Sequence, residues 1–297
     1  MIAIVGSSNM DVVLSVEHFT QPAETQICER MNFFPGGKGA NQAITVAKLS
    51  RKGAYFSSCL GNDEFGEVLA KDFSDNGLSG FFYVDRPTGR AFIEVTKDGQ
   101  NRIIVYSGAN AELSTERLDW EALLKSDFLL LQNEIPFETT IECAKRFPGV
   151  VIFDPAPAHH IDVEILKYVD YITPNEDEIK SLSIAFFDDF VSIEDSASRF
   201  LDLGVGNVVV KLGDKGAMLI NREGMISIPS FNVRAVDTTA AGDVFNGAFA
   251  VALSENMDLR KSLIFAAAAA AISVTRVGAQ TSIPSRAEVD DFLKVHN

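Results

Sequence analysis

The feature that most restricts the fold of this chain is a regular alternation of short apolar runs with longer segments of helical periodicity. Short apolar runs bounded by polar residues are typical of parallel strands that are buried on both faces. Because strands and helices alternate, the sequence predicts an α/β fold, with a mostly parallel central sheet between two helical layers. The predicted strands are Ile2–Val5, Phe128–Leu131, Val150–Phe153, Tyr171–Thr173 and Asn207–Lys211. The predicted helices are about Gly39–Lys52, Phe65–Asn76, Thr139–Arg146, Asp162–Val169, Ser192–Leu203, Gly242–Ser254, Leu259–Thr275 and Arg286–Val295.

Two regions depart from this alternation. In the segments 11–34 and 83–106, apolar and polar residues alternate more often with the two-residue period of a β-strand. The second region contains two such runs, Arg90–Val95 and Arg102–Tyr106, joined by a turn with Asp98 and Gly99. That pattern predicts a β-hairpin. We expect both regions to form a small sheet apart from the main one, within a single domain that spans 1–297.

Charge and hydropathy exclude some classes of function. The net charge of −15 argues against a nucleic-acid or anionic-membrane surface. The longest uncharged apolar run, 262–275, is too short to span a bilayer, and 1–5 is typical of a first strand and not of a signal peptide. Cys28, Cys59 and Cys143 have no zinc-site spacing and are expected to be buried free thiols. These features predict a soluble, cytoplasmic protein.

Polar clusters follow the predicted strands at their carboxyl ends. Open α/β sheets bind ligands beyond that edge, so these residues are candidates for one binding site. The alternative is that loops are polar in any case. The clusters contain Asn9 and Asp11, Glu134, Asp154, Asn175 and Glu178, and Gly213.

The segment Val236–Gly247 combines small residues with two aspartates and leads into a predicted helix. Small residues allow close approach to the backbone, and a helix N-terminus favours an anion. Asp243 beside such a site is a candidate base that activates a hydroxyl next to a phosphate. Alone, it is more typical of an aspartate that stabilises a helix start.

Three glycines, Gly36, Gly37 and Gly39, crowd a second turn. Glycines in such a turn provide positive φ angles and close backbone approach to a ligand. A flexible surface turn is the alternative, but Lys38 and Asn41 in the same segment favour a ligand site.

Five segments in order, 6–11, 36–43, 174–178, 211–216 and 236–247, resemble the motifs of the ribokinase-like (phosphofructokinase-B-type) carbohydrate kinases. The resemblance runs over nearly the whole chain. It implies a three-layer α/β/α sandwich whose substrate lid is formed by the insertions at 11–34 and 83–106. It also implies ATP-dependent phosphorylation of D-ribose at the 5-hydroxyl, and a homodimer that forms through the lid.

The same resemblance implies roles for individual residues. Asp243 would be the base, and the backbone of Ala240, Ala241 and Gly242 would form an anion hole. The other implied sugar-binding residues are Asn9, Asp11, Gly37, Lys38, Asn41 and Glu134. The implied nucleotide-binding residues are Asn175, Lys211, Gly213, Asp214, Gly216, Gly242 and Ala267.

Two metal sites are also implied. Glu178 would hold Mg²⁺ through water, although Asn175 and Glu178 are also typical of a helix capping box. A K⁺ site would be formed by Asp237, Thr239, Ser273, Arg276 through its carbonyl group, Gly278 and Ser282; the alternative is two loops that merely pack together.

Two residues depart from the family's pattern. Lys211 stands where many members have threonine, and Ala267 replaces a polar residue that lies near the adenine in some members. Kinases of the P-loop and protein-kinase classes are excluded, because their motifs do not occur. A kinase of the same fold for another sugar or a nucleoside, or a non-catalytic sugar-binding protein, remains as the alternative function.

Overall fold

The computed structural model describes residues Met1–His296 and confirms the predicted α/β class. Its strands are β1 Ile2–Val5, β2 Asn9–Val16, β3 Arg30–Gly36, β4 Ala54–Ser57, β5 Cys59–Gly61, β6 Phe82–Val84, β7 Gly89–Thr96, β8 Asn101–Tyr106, β9 Phe128–Leu131, β10 Val150–Phe153, β11 Tyr171–Ile172, β12 Asn207–Lys211, β13 Ala217–Asn221 and β14 Gly224–Ile228. The main sheet has the order β14-β13-β12-β11-β10-β9-β1-β4. It is parallel from β4 to β12, and β13 and β14 are antiparallel at one edge.

Helices cover both faces of the main sheet. They are α1 Lys38–Leu49, α2 Glu64–Asp75, α3 Trp120–Leu123, α4 Phe137–Arg146, α5 Glu176–Phe187, α6 Ile193–Leu203, α7 Ala241–Ser254, α8 Leu259–Ser273 and α9 Arg286–His296. Strand β1 shows how the layers arise, because Ile2 and Ile4 face the core under α1, α7 and α8, whereas Ala3 and Val5 face the core under α4, α5 and α6. Within residues 1–296, no helix is both long and apolar enough to traverse a bilayer.

One predicted helix is wrong. The segment predicted as a helix over Asp162–Val169 forms a 3₁₀-helix, Val163–Lys167. The amide of Ile165 donates to the carbonyl of Asp162, and the amide of Tyr168 donates to the carbonyl of Ile165. Such i to i+3 bonds suit a short connection, and the chain enters β11 soon afterwards.

A second, four-stranded sheet has the order β3-β2-β7-β8. Strands β7 and β8 form the predicted hairpin, and Gly99 in its turn has a φ of 84°. We refer to this sheet as the lid sheet. Strand β8 is exposed along its whole length, and it lies at an edge of the lid sheet. The lid sheet therefore offers an unpaired edge to solvent.

The glycine-rich turn fixes the start of α1 against the loop after β1. Gly37 has a φ of 90°, and a Cβ atom there would lie 2.8 Å from the amide nitrogen of Asn9. A Cβ atom on Gly39 would lie 2.5 Å from the amide nitrogen of Ser7. Only glycine permits this approach, which brings Lys38 and Asn41 to the carboxyl end of the main sheet.

Cysteines of the chain are all free thiols, as expected. Cys59 and Cys143 are buried, and burial raises the pKa of each thiol to about 12. Cys28 is partly exposed, so the expectation that all three are buried is wrong for this residue. It lies just before β3, in the loop that joins β2 and β3 of the lid sheet.

Candidate active site

Asp243 lies in the first turn of α7 and is buried. Ala240, which precedes α7, has a φ of 59°, in the left-handed region. This bend turns the chain into α7, whose first N–H groups have no partner within the helix. Asn41 Nδ2 donates to Asp243 Oδ2 at 2.9 Å, so helix α1 fixes the orientation of the carboxylate.

Residues of the implied sugar set gather around this carboxylate. Glu134, after β9, accepts a hydrogen bond from the backbone N–H of Lys38 at 3.1 Å. Asp11 on β2 is buried against Gly36, where an added Cβ atom would lie 2.2 Å from its carboxylate. The structure thus brings residues of β2, of α1, of α7 and of the loop after β9 to one place.

Asn9 is held by a residue that the sequence did not reveal. Asn110 is buried in the 3₁₀-helix Gly108–Glu112, and its Nδ2 donates to Asn9 Oδ1 at 2.8 Å. Asn110 Oδ1 also accepts from the amide of Ser8 at 2.8 Å. Because about a hundred residues separate Asn110 from Asn9, no local pattern could have indicated this contact.

Burial and mutual repulsion shift the pKa values of the carboxylates in this cluster. Burial, followed by the charges of Glu134 and Asp243, raises the pKa of Asp11 to about 7. Burial also raises the pKa of Asp243 to about 6, although the nearby ammonium group of Lys38 lowers it. In the unliganded protein, both groups therefore titrate near neutral pH, which is typical of catalytic sites.

Lys38 lies among these carboxylates. Burial alone would lower its pKa, but the charges of Asp243, Glu134, Asp154 and Glu178 outweigh burial and raise it. The ammonium group is therefore positively charged at all physiological pH values. It offsets part of the negative charge that this cluster would otherwise present to an anionic ligand.

A cavity of about 570 Å³ opens on the other side of the first turn of α7. Its volume is within the range of small-molecule and cofactor sites. Its walls are largely apolar, and its polar lining residues include Lys211, the last residue of β12. Of the implied nucleotide-binding residues, it is lined by Lys211, Gly213, Asp214, Gly216, Gly242 and Ala267.

Asn175, the remaining member of that set, caps helix α5. Asn175 Oδ1 accepts from the amide of Glu178, and Glu178 Oε2 accepts from the amide of Asn175, both at 2.8 Å. The capping box is therefore present. Burial raises the pKa of Glu178, which also lies within reach of the charges of Lys211 and Asp154. The cap thus directs a carboxylate toward the charged cluster.

Asp154 and Gln42 connect the two halves of the site. Asp154 follows β10, and its Oδ1 accepts from Lys211 Nζ at 3.1 Å. Gln42 Nε2 lies 3.1 Å from Asp154 Oδ2 and 3.4 Å from Asp243 Oδ1. Gln42 was not among the candidate residues, although it lies within the segment 36–43 that carries the resemblance.

The implied monovalent-cation residues lie on two segments, the loop before α7 and the segment from the end of α8 to the 3₁₀-helix Gln280–Ser282. Asp237 Oδ1 accepts from the backbone N–H and the hydroxyl group of Thr239, and Asp237 Oδ2 accepts from the N–H of Gly278 at 2.8 Å. These hydrogen bonds lower the pKa of Asp237, although burial alone would raise it. The Arg276 guanidinium pairs with Glu288. Ser273 and Ser282 are both buried. Ser273 is the last residue of α8, and Ser282 lies in the 3₁₀-helix Gln280–Ser282.

One family of known proteins matches nearly the whole chain. The pfkB family of carbohydrate kinases matches residues 1–286 of the chain. The chain belongs to this family. The carboxylate at the start of α7, between a polar pocket and a cavity of about 570 Å³, is thus part of a carbohydrate-kinase fold.

Individual relatives are similar over their whole length. Ribokinase of Haemophilus influenzae is 40% identical over 99% of this chain and 98% of that protein. The crystal structure of ribokinase from Thermotoga maritima has a TM-score of 0.96 and 62% identity, with 99% of each chain covered. The structure of Arabidopsis thaliana ribokinase complexed with ribose and ATP has a TM-score of 0.89 and 35% identity over 99% of this chain and 98% of that one.

Proposed function

We propose that this kinase transfers the γ-phosphoryl group of ATP to the 5-hydroxyl of D-ribose, giving D-ribose 5-phosphate and ADP. The observation that carries the proposal is the position of Asp243, between the polar pocket of Asn41 and Lys38 and the cavity that Gly242 lines. The ribokinases to which the chain is similar support ribose and ATP as the substrates. Because ATP is the co-substrate, we place the reaction in the cytoplasm.

Ribose would lie in the polar pocket, under the lid sheet. The Asn41 side chain supports this, because its Nδ2 is bound to Asp243 whereas its buried Oδ1 has no partner among residues 1–296. A sugar hydroxyl can donate to such an acceptor. The carboxylates of Asp11 and Glu134 suit the other hydroxyl groups. The set proposed to bind ribose is Asn9, Asp11, Gly37, Lys38, Asn41, Glu134 and Asp243.

In the transfer step, the Asp243 carboxylate takes the proton of the 5-hydroxyl as that oxygen attacks the γ-phosphorus. A new O–P bond forms to the sugar, and the bond from the γ-phosphorus to the bridging oxygen breaks. The electron pair of that bond stays with ADP. Within the implied anion hole of Ala240, Ala241 and Gly242, the N–H of Ala241 donates to the carbonyl of Thr238 at 3.2 Å. The N–H groups of Gly242 and Asp243, in the first turn of α7, would therefore stabilise the transferring group, because phosphoryl transfer depends on alignment and charge stabilisation.

Mg²⁺ fits the residues around Glu178. A carboxylate and an amide oxygen are suitable groups for an ion that retains much of its water. Glu178, with Asn175, would hold the ion through water, and the ion would supply charge neutralisation to the phosphates of ATP. The chain's own contribution there is the capping box, which fixes the direction of the Glu178 carboxylate.

K⁺ fits the two loops joined by Asp237. Oxygen donors suit hard cations, and this carboxylate, together with neighbouring carbonyl groups, would supply them. The proposed set is Asp237, Thr239, Ser273, Arg276 through its carbonyl group, Gly278 and Ser282. Because the loop 236–240 leads directly into α7, an ion there would stabilise the conformation of the anion hole.

We expect Asp237→Ala to remove any stimulation of turnover by K⁺ and to leave the rate without K⁺ within a few-fold of wild type. The reason is that the variant removes a cation ligand and leaves Asp243 in place. The measurement is kcat in K⁺ and in tetramethylammonium buffers of equal ionic strength. Asp258→Ala, at the exposed start of α8, is the control. Equal stimulation of wild type and Asp237→Ala by K⁺ would reject this site.

We propose a homodimer in which the lid sheets of two copies pack together. The lid sheet exposes large apolar side chains, and its edge strand β8 pairs with β7 on one side and with no other strand of residues 1–296. Exposed apolar edges tend to be covered by a partner. The apolar residues are Met31, Phe33, Phe92, Ile103, Ile104, Val105 and Tyr106.

Ile104→Glu should therefore convert a dimer to a monomer, because Ile104 is 61% exposed on β8 and a buried charge opposes association. Light scattering coupled to size-exclusion chromatography measures the mass directly. Val191→Glu, in an exposed loop before α6, is a control that should leave the mass unchanged. A wild-type protein that elutes as a monomer at micromolar concentration would contradict the proposal.

The test of the function itself is coupled ADP release with Mg-ATP and a panel of acceptors: ribose, fructose, 2-deoxyribose, adenosine and no sugar. The expected result is ADP release that depends on ribose and exceeds that with every other acceptor. Higher kcat/KM for another member of the panel would keep the mechanism and replace the substrate. ADP release that no acceptor stimulates would contradict the proposed function.

A further inference from the structure

The side chain of Lys211 lies at the wall of the large cavity, in a more specific position than nucleotide binding in general requires. Lys211 is the last residue of β12, and its backbone is fixed by a hydrogen bond from its N–H to the carbonyl of Pro174 at 2.9 Å. Its side chain is only 12% exposed and lines the large cavity. The ammonium group is therefore held at the cavity wall and does not extend into bulk solvent.

The ammonium group of Lys211 adjoins the proposed anion hole. A Cβ atom added to Gly242 would lie 3.4 Å from Lys211 Nζ. Gly242 belongs to the first turn of α7, next to Asp243. The charge of Lys211 and the N–H groups of that turn thus approach the cavity from adjacent positions.

Asp154 holds the ammonium group in this place. Its carboxylate is 3% exposed, and its Oδ1 lies 3.1 Å from Lys211 Nζ. The second oxygen, Oδ2, accepts from Gln42, which also lies 3.4 Å from Asp243 Oδ1. Both oxygens of Asp154 are therefore engaged, and the carboxylate cannot turn away from Lys211 without losing a hydrogen bond.

A purely structural role for this pair is a poor explanation of its position. Buried ion pairs contribute little net stability, because desolvation offsets the attraction of the two charges. A lysine ammonium has three donors, and Asp154 uses one of them. The remaining donors lie at the wall of a cavity of about 570 Å³, which is also lined by Ala241 and Gly242 at the N-terminus of α7.

We propose that Lys211 is a catalytic residue whose ammonium group contacts the terminal phosphoryl group of the nucleotide, with Asp154 as the residue that positions it. This inference rests on the proposed kinase function. In the step described above, the new bond joins the acceptor oxygen to the γ-phosphorus, the bond to the bridging oxygen breaks with its electron pair left on ADP, and the acceptor proton passes to Asp243. Lys211 keeps its own protons and stabilises the negative charge of the transferring group, as preorganised cations do in such sites.

The first test uses nucleotide binding, which needs no acceptor. The Mg²⁺ complexes of ADP and of the β,γ-imido analogue of ATP are titrated into wild type, Lys211→Met and the control Lys215→Met by calorimetry. Lys215 lies four residues further on, is 66% exposed and pairs with Glu176, so its replacement gives the same change in net charge outside the cavity. We expect Lys211→Met to weaken binding of the analogue by roughly 10-fold or more and of ADP by less than about 2-fold.

The second test uses turnover with the best acceptor. Removal of one preorganised donor from a transition state lowers kcat by roughly 100-fold or more. We expect that loss in Lys211→Met, with the KM for the acceptor within about 2-fold of wild type and with partial recovery in Lys211→Arg, which keeps the charge. Lys215→Met should retain wild-type kcat.

Folding of the variant is checked separately, because removal of Lys211 leaves Asp154 buried without its partner. Where the single variant does not fold, the double variant Asp154→Asn/Lys211→Met, in which both charges are removed, takes its place with the same expectations. Equal weakening of ADP and analogue binding, or kcat within about 3-fold of wild type, would overturn the role of Lys211. A wild-type protein without ribose-dependent turnover would instead count against the proposed substrate, and the two nucleotides would still decide the role of Lys211.

Discussion

Asp243→Asn should lower kcat by about 100-fold to 10,000-fold, which is the range that a general base contributes. Asparagine keeps the size of the side chain and can accept the hydrogen bond from Asn41, but it cannot take a proton from the acceptor hydroxyl. The KM for the sugar should change much less than kcat. Steady-state kinetics at pH 8, where the wild-type carboxylate is charged, measures both.

The same variant should be at least as stable as wild type. The folded-state pKa of Asp243 is raised to about 6, so the native protein binds this proton more tightly than the unfolded chain does. The charged carboxylate therefore destabilises the native state above about pH 6, and this cost is absent at low pH. We expect the Tm of Asp243→Asn to equal or exceed that of wild type at pH 8, with a difference that shrinks as the pH falls below 6.

Asp72→Asn provides the matched control. Asp72 lies on α2, outside the cluster, and burial raises its pKa as well. This variant should retain full turnover. Near-normal kcat in a folded Asp243→Asn protein would remove Asp243 from the role of base. A sharp fall of its Tm at pH 8 would show that the charged carboxylate stabilises the unliganded site.

The sequence predicted the central strands of the main sheet well, for a physical reason. Strands buried on both faces must be continuously apolar, so β1, β9, β10 and β12 were predicted with the bounds that the structure has. The strands β4, β13 and β14 were not among the predictions. Strands β13 and β14 lie in an antiparallel hairpin at the sheet edge, and Met225 on β14 is exposed, so the apolar run is weaker there.

Candidate site residues were predicted where a motif is local, and missed where a contact joins distant segments. The segments that carry Asn41, Gly213 and Asp243 can be recognised from neighbouring residues alone. The pairing of Lys211 with Asp154 spans 57 residues, and that of Asn110 with Asn9 spans 101. Such contacts depend on the order of strands in the sheet, which no short pattern specifies.

Lys38→Met should lower kcat/KM by roughly 100-fold to 1,000-fold, the effect of removing one preorganised charge from a transition state. Lys38 lies among the carboxylates of Asp243, Glu134, Asp154 and Glu178. Without its ammonium group, this cluster would repel an incoming triphosphate. Lys71→Met, an exposed lysine on α2, should leave kcat/KM unchanged.

The pH dependence of kcat/KM separates loss of this charge from simple misfolding. In wild type, kcat/KM should fall as the pH drops through about 6, because protonated Asp243 cannot act as a base. The charge of Lys38 lowers the pKa of Asp243, so its removal should move this acid limb upward by roughly 1 to 3 pH units. The residual activity of Lys38→Met should therefore recover at alkaline pH. In Lys38→Arg, which keeps the charge, kcat/KM should fall at the same pH as in wild type. If kcat/KM of a folded Lys38→Met protein falls at the same pH as that of wild type, Lys38 does not set the ionisation of the base.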